Sequence, residues 1–368
     1  MTENLFMLIF IVVIALLLIL DLFVLHKKDH EVTFKESARQ TAIWVSLAML
    51  FFLLIRFQGN KVVDVHDKDQ FVAQNELYEH QVTYDDAATW DDNVKRYNKQ
   101  LSLEYLTGYL IELSLSIDNV FVMIMIFLSF GVAKQYYHRV LFYGILGAIV
   151  LRFIFIFAAG ALIQKFHWLL LVFGAFLIYS GIKMFIDRNK DESIDVEHHP
   201  VVKFLTKRKL STPSFDGHNF FTKVDGRWLC TPLFVVLMII EFSDIIFAFD
   251  SIPAIFSVTH DPHIVFFSNI FAILGLRSMF FMLESIMDKF AYLRIGLSVL
   301  LTFIGVKMFL PLVGIEVGIV ASLVIIVSIL TLSILLSVLF PPKKAKTNVQ
   351  YPSNSLILYP LNPYPLAL

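Results

Sequence analysis

The chain has 368 residues, of which 57% are hydrophobic, 15% aromatic and 17% charged, and its mean hydropathy is +0.72. Ordinary globular domains carry about 45–50% apolar and about 25% charged residues, so a water-soluble fold is excluded. Thirty Lys and Arg against 31 Asp and Glu give a formal charge of −1, which offers no global field for nucleic acid or an acidic partner, and the single cysteine, Cys230, excludes an intrachain disulfide, a CxxC redox pair and a cysteine-built metal site.

The charges fall into blocks separated by apolar runs of about 20 residues, the length that crosses a bilayer core as a helix. In chain order the runs predict nine spans, at 5–25, 41–57, 101–130, 140–161, 167–187, 229–257, 264–285, 291–310 and 317–340. The expected fold is therefore all-α, a polytopic helical membrane protein with about nine transmembrane helices. It divides into a transmembrane hairpin at 1–57, an acidic loop at 58–100, helical units at 101–187 and 229–310 joined by a linker at 188–228, a last transmembrane helix at 311–340 and a tail at 341–368. The first run follows Met1-Thr2-Glu3-Asn4, which has no positive n-region, and no small-residue cleavage site comes after it. It reads as a retained helix rather than a signal peptide.

Lys and Arg concentrate in alternate connections. The loops at 26–40, 131–139, 188–228 and 286–294, with the tail from 341, hold 19, whereas those at 58–100, 162–166, 258–263 and 311–316 hold 6. Positive residues stay cytoplasmic, which predicts an outside N-terminus and a cytoplasmic C-terminus. The 58–100 loop, with nine acids from Asp64 to Asp92, is expected to be a solvated outer segment. Asp191, Glu192, Asp195, Glu197, His198 and His199 form a carboxylate and imidazole set suited to loose metal binding, but a flexible linker has no fixed coordination geometry. The apolar, Pro- and Tyr-rich tail at 351–368 suggests neither fold nor role.

Two parts of the chain repeat each other. His138-Arg139-Val140 matches His263-Ile264-Val265, Leu151-Arg152 matches Leu276-Arg277, and Gly181-Ile182-Lys183-Met184-Phe185 matches Gly305-Val306-Lys307-Met308-Phe309, at offsets of 125, 125 and 124. Glu112 and Asp118-Asn119-Val120 match Asp244 and Asp250-Ser251-Ile252 at an offset of 132. Each repeat holds three helices, and an odd number of spans makes the second copy enter the membrane from the opposite face. Two inverted three-helix repeats are the architecture of secondary transporters, whose site lies near the midplane at the repeat interface.

Within the paired first helices lie Glu112 and Asp118, and Glu241, Asp244 and Asp250, accompanied by Ser114, Ser116, Asn119, Ser243, Ser251 and Asn269; Asp21 sits nearer a membrane edge. A carboxylate at the bilayer centre costs about 2.5–3.5 kcal/mol on insertion scales, so each is a functional-site candidate. Arg152 and Arg277 lie mid-span and neutralise two of the five, while Lys183 and Lys307 sit near helix ends and can snorkel. A divalent cation with one or more protons would balance the remainder, and the ligands are hard oxygens. Six residues turn a helix about 120° off its starting face, so acids spaced as Asp244 and Asp250 converge only if the helix is kinked or unwound; Pro253 is the expected break.

Leu20-Asp21-Leu22-Phe23-Val24-Leu25-His26, Glu112-Leu-Ser-Leu-Ser-Ile-Asp118-Asn119-Val120 and Glu241-Phe-Ser-Asp244-Ile-Ile-Phe-Ala-Phe-Asp250-Ser251-Ile252-Pro253 resemble the TerC family, in particular its Alx-type branch, over roughly residues 5–340. The resemblance implies a bacterial inner-membrane protein of the LysE-like transporter group, working in metal-ion homeostasis and exporting manganese. It implies that Glu112, Asp118, Glu241, Asp244 and Asp250 are metal ligands, with Asn119 beside them; Arg152 and Arg277 are expected to pair with acids in the empty state. The family is named for tellurium resistance, but a tellurite oxyanion does not suit a carboxylate-lined site. The expected function is efflux of a divalent cation, Mn2+ first and Ca2+ second, by alternating access with proton coupling. No tightly bound cofactor is expected; the expected partners are the metal ion, protons, the lipid bilayer and a second copy in a homo-oligomer. An intramembrane aspartyl enzyme is disfavoured because no GxGD element surrounds an aspartate. The remaining alternatives are a membrane-protein biogenesis factor without transport activity and a passive channel.

Overall fold

In a computed structural model, residues 3–24, 32–187, 200–285 apart from 209, 213 and 225, and 292–340 are described. The helices are α1 (Glu3–Val24), α2 (Phe34–Val62), α3 (Lys68–Tyr78), α4 (Trp90–Ser129), α5 (Tyr137–Lys165), α6 (Leu169–Asp187), α7 (Pro200–Lys207), α8 (Pro232–Phe256), α9 (Pro262–Glu284), α10 (Leu293–Phe309) and α11 (Ile319–Leu339). Among the described residues, eight helices are long and apolar enough to cross a membrane: α2, α4, α5, α6, α8, α9, α10 and α11. The apolar helix α1 precedes them. The only sheet among the described residues is the antiparallel hairpin of β1 (Phe221–Val224) and β2 (Arg227–Cys230). The fold is an all-α polytopic membrane protein.

Local chemistry sets where the helices begin. Thr33 and Glu36 form a capping box at α2, Asp67 caps α3 through Gln70 N at 2.8 Å, Thr89 caps α4 through Asp92 N, and Asp261 caps α9 through His263 N at 2.8 Å. Near its end α2 kinks at Gln58. There the Asn98 carbonyl accepts from Asn60 N at 2.6 Å, a side chain inserted into the helical ladder.

The helix α9 is buried along its apolar length and packs against α2, α4 and α5. Phe10 of α1, Phe51 of α2 and Phe266, Phe267 and Phe271 of α9 join in one aromatic cluster. Large side chains such as Leu8, Val150, Val324 and Leu332 are exposed, which suits a surface whose solvent is lipid.

The triplets α4–α5–α6 and α8–α9–α10 face each other helix for helix. Between α5 and α9, His138 meets Phe281 and Phe157 meets His263, so the two run antiparallel. Between α6 and α10 a Cβ on Gly305 would lie 2.7 Å from Gly174 O, and one on Gly181 would lie 2.8 Å from Ser298 O. An offset of 124 carries Gly181 onto Gly305 and Gly174 onto Ser298, so one close backbone approach is the image of the other. Antiparallel pairing of equivalent helices is the relation that inversion requires.

Connections of alternate parity share an end. Residues 78–81, 167–171, 257–260 and 307–317 line one cavity at what is here called the α3 end. Residues 134, 284 and the β hairpin lie at the opposite, hairpin end.

Three expectations change. The 58–100 segment is not a solvated loop, because it holds α3 and the first turns of α4 and buries Val62, Val63, Val65, Phe71, Tyr78 and Tyr97. The 188–228 linker contains α7 and β1, with Val202 and Leu205 buried. Its Asp191–His199 set lies outside the described residues, as do the tail at 351–368 and the side chain of Asp21. Lastly, α8 runs unbroken through Pro253, since only the last turn follows the proline and few hydrogen bonds are lost there.

Because backbone meets backbone at Gly305, Gly305→Ala is expected to lower stability by about 1–3 kcal/mol, whereas Gly318→Ala, with open space around it, should leave it unchanged. Thermal unfolding of both variants in detergent measures this; equal midpoints would refute the close α6–α10 approach.

Candidate functional site

At the middle of α5, Arg152 is 1% exposed and bridges the two triplets. Its guanidinium donates to Glu112 of α4 and, at 3.1 Å through Nη2 and 3.5 Å through Nε, to Asp244 of α8. Asn269 of α9 accepts from Arg152 at 3.2 Å and donates to Glu112 Oε2 at 3.0 Å. Ser251 lies 3.5 Å from the guanidinium and Ser116 donates to Glu112 at 3.3 Å. Glu112 and Asp244 are the repeat-equivalent acids, so one arginine is held between two symmetry-related carboxylates. With all three ionised the triad carries a net charge of −1. Taking these ions out of water costs several kcal/mol each, which only close pairing and full hydrogen bonding repay.

Asp118 and Asp250, six residues beyond Glu112 and Asp244, are not in this network. They line a cavity of about 600 Å3 with Ser180, Lys183, Asp187 and Arg294, among others. Ser180 donates to Asp250 at 2.8 Å and Arg294 Nε lies 3.9 Å from Asp118. Since α4 and α8 remain regular, the helical period separates the acids by face: one of each pair points into the bundle and one into this cavity. Asn119 is buried. Glu241 packs its carboxylate against Gly147 of α5, and its Oε2 is buried without a hydrogen-bond partner among the described residues. Arg277 is buried in α9. The six residues expected to share a metal site are thus divided, and no group of three or more His, Cys, Asp or Glu among the described residues is arranged to hold a metal ion. Between Glu112 and Asp244 the cation present is Arg152.

A further polar cluster lies at the α3 end, and sequence reasoning missed it. His80 and Glu104 are buried side by side, with Nδ1 2.9 Å from Oε2, and Glu104 also accepts from Gln100 at 2.9 Å and Thr259 at 2.6 Å. Asp261 is buried nearby and accepts from the ring and backbone of His263. Burial raises the pKa of Asp261, but these hydrogen bonds outweigh it and hold the carboxyl below its ordinary value. Next to the cluster, Glu79 in the left-handed region at φ 53° accepts from His260 at 3.2 Å, which lowers its pKa. One signal was available: Glu104 falls inside the apolar run 101–130. His80 had none, as it sits among nine acids.

The family described as integral membrane protein TerC family matches residues 97–345. The chain belongs to the TerC family. An uncharacterised membrane protein of Myxococcus xanthus is 46% identical over 299 residues, covering 81% of each chain. A Salmonella typhi protein named Alx, a candidate membrane-bound redox modulator, is 40% identical over 334 residues, covering 89% of this chain and 92% of its own. Its Escherichia coli K12 namesake is 41% identical over 305 residues, covering 81% and 84%. No solved structure matches at a significant level. None of these names describes an enzyme. The TerC match begins at residue 97, so it contains the whole Arg152 network but not His80.

The charges of the triad set an order of stabilities. Arg152→Gln leaves two buried carboxylates facing each other and should cost about 3–5 kcal/mol, whereas Glu112→Gln leaves a balanced Arg152–Asp244 pair and should cost about 1.5–3 kcal/mol, the worth of a charged hydrogen bond. Denaturant unfolding in detergent micelles tests the order, and its reversal would show that the triad is not ionised as drawn.

Proposed function

We propose that this TerC family protein exports a divalent metal cation, Mn2+ first, by alternating access between its two helix triplets, with protons moving inward. The observation that carries the reading is the buried Glu112–Arg152–Asp244 triad at the interface of the triplets, with its residual negative charge. A membrane protein gains nothing in stability from two buried acids that need an arginine to hold them, since apolar residues of like volume serve as well or better. Their retention is understandable if Arg152 stands in for a transported cation.

In this reading the hairpin end is cytoplasmic, as the Lys and Arg distribution suggests, and the membrane is the bacterial inner membrane. Metal enters through the cavity of Asp118, Asp187 and Asp250, whose carboxylates attract it, while Lys183 and Arg294 offset two of the three negative charges in the empty state. It then competes with Arg152 for Glu112 and Asp244. Moving one charge across 100 mV corresponds to about 2.3 kcal/mol, and a divalent ion leaving a negative interior needs roughly twice that. Inward protons offset it, and Glu241, half-buried with one buried oxygen free of hydrogen bonds among the described residues, is suited to carry one. The redox role in the relatives' name does not transfer through a dithiol couple within the chain, because Cys230 is the sole cysteine.

The test is Mn2+ uptake into inverted membrane vesicles, with and without a proton gradient, beside Asp118→Ala and Asp250→Ala. Gradient-dependent uptake lost at least tenfold in both variants is expected. Uptake unaffected by either substitution would remove the cavity from the path. Absence of uptake by folded wild-type protein, with cross-linking to nascent membrane proteins, would favour the biogenesis alternative.

A further inference from the structure

The cluster of His80 and Glu104 has no part in the metal path above, yet it is as deeply buried as the Arg152 triad. The His80 side chain has 0% and Glu104 2% of its surface exposed. Both Glu104 oxygens are engaged, by the His80 ring, Gln100 and Thr259, the pattern of an ionised carboxylate facing an imidazole that donates its Nδ1 proton. Two buried atoms beside this pair have no hydrogen-bond partner among the described residues: His80 Nε2 and Asp261 Oδ2. A buried donor and a buried acceptor left open in this way are the normal seat of an exchanging water.

The charged and titratable groups facing His80 come from every neighbouring element. Glu104 belongs to α4, Asp261 to the start of α9, and Tyr78 and Tyr97 flank the ring. Lys307 of α10, which donates to Ser257 O at 3.1 Å, adds a positive charge that Glu104 feels, and His263 is bonded to Asp261. His80 itself lines a cavity of about 700 Å3 at the α3 end, together with Glu79, His167, His260 and Glu316.

Between this cluster and the Arg152 network, the hydroxyl of Ser268 lies at the contact of α4 and α9, beside Ile255 of α8. Glu104 and Glu112 are eight residues apart on α4, about 12 Å along its axis. Between them Gly108 leaves room for Ser268 of α9, whose hydroxyl would lie 2.9 Å from a Cβ added there. The next residue, Asn269, donates to Glu112.

We propose that His80 and Glu104 are a proton-loading site of this protein, separate from Glu241, loading from the cavity at the α3 end and passing protons toward Glu112 along the contact of α4 and α9. The use made of the protons rests on the transport reading; the site does not. In the transfer step the Nδ1–H bond of imidazolium breaks, an O–H bond forms on Glu104, and both groups become neutral. Hydronium from the cavity then restores the imidazolium. Burial opposes a charge on His80, but the carboxylates of Glu104 and Asp261 outweigh it and raise its pKa. The site is therefore fully loaded below the ordinary histidine range and empties as pH rises through the raised value.

The full-length protein labelled with 15N-histidine answers this by NMR, the His80 signal being the one lost in His80→Gln. His80 is expected to titrate above the ordinary histidine range, and Glu104→Gln, which leaves His80 in place, should weaken its proton affinity at least tenfold. A His80 that titrates within or below the ordinary histidine range, or a titration unmoved by Glu104→Gln, overturns the site. In inverted vesicles, His80→Gln should lose at least tenfold of the proton-gradient stimulation of Mn2+ uptake while downhill uptake persists; stimulation equal to wild type overturns the relay. Wild-type vesicles that take up no Mn2+ end the transport reading, and the proton site is then decided by the titration alone.

Discussion

One arginine between two acids constrains the rest of the bundle. Arg152 draws α4, α5, α8 and α9 to a single point, because its partners Glu112, Asp244, Ser251 and Asn269 come from three helices besides its own. A guanidinium presents five donors in a planar fork, and in a medium without water each must find an acceptor within the protein. The acids bring the requirement of a positive partner, the arginine brings the requirement of several acceptors, and both are met only where the triplets touch. The energetic consequence is a network that cannot be loosened at one member without stranding another.

Helical periodicity explains why the acids split. Six residues separate Glu112 from Asp118 and Asp244 from Asp250, and no regular helix places both members of such a pair on one face. Convergence would need a broken helix, and Pro253 is too close to the end of α8 to break it. The result is two layers of carboxylate, one buried with Arg152 and one lining the Asp118–Asp250 cavity beside Ser180, Lys183 and Arg294. The repeat thus preserves not single residues but a division of labour between two faces of the same helix.

What was legible in the sequence followed from period and length. The apolar runs gave most spans within a few residues, though α2 begins at Phe34 and α4 at Trp90, well before the runs at 41–57 and 101–130, and offsets of 124 and 125 pointed to the triplets whose glycines meet at the α6–α10 crossing. Arg152 was recognisable because an arginine in mid-span must pair. Its choice of Glu112 and Asp244 over Asp118 and Asp250 was not, since that depends on helix rotation and on which face of α9 brings in Asn269. The 58–100 segment was the least legible. Nine acids dominate its composition, whereas the few side chains that dock it, Phe71, Tyr78, His80 and Tyr97, are scattered through it without a period. A burial pattern made by tertiary contact across 24 residues, as between His80 and Glu104, leaves no local mark.

The two polar layers and the α3-end cluster lie in an order that bears on gating. Glu104 stands toward the α3 end of α4, Glu112 at its middle and Asp118 nearer the hairpin end, while on α8 the direction is reversed by inversion. Acids on α4 are therefore spread along its length on different faces, and the Arg152 network sits at its middle. On the transport reading, ions reach the centre from either end only if the contacts around Arg152 change, while α6 and α10, whose backbones meet at Gly174 and Gly305, have little freedom to slide. A core bistable between two discrete pairings is the common way in which packed proteins move. On the transport reading proposed above, the symmetry-related partners Glu112 and Asp244, both bonded to Arg152 here, would let its weight shift from one carboxylate to the other as one triplet tilts against the other.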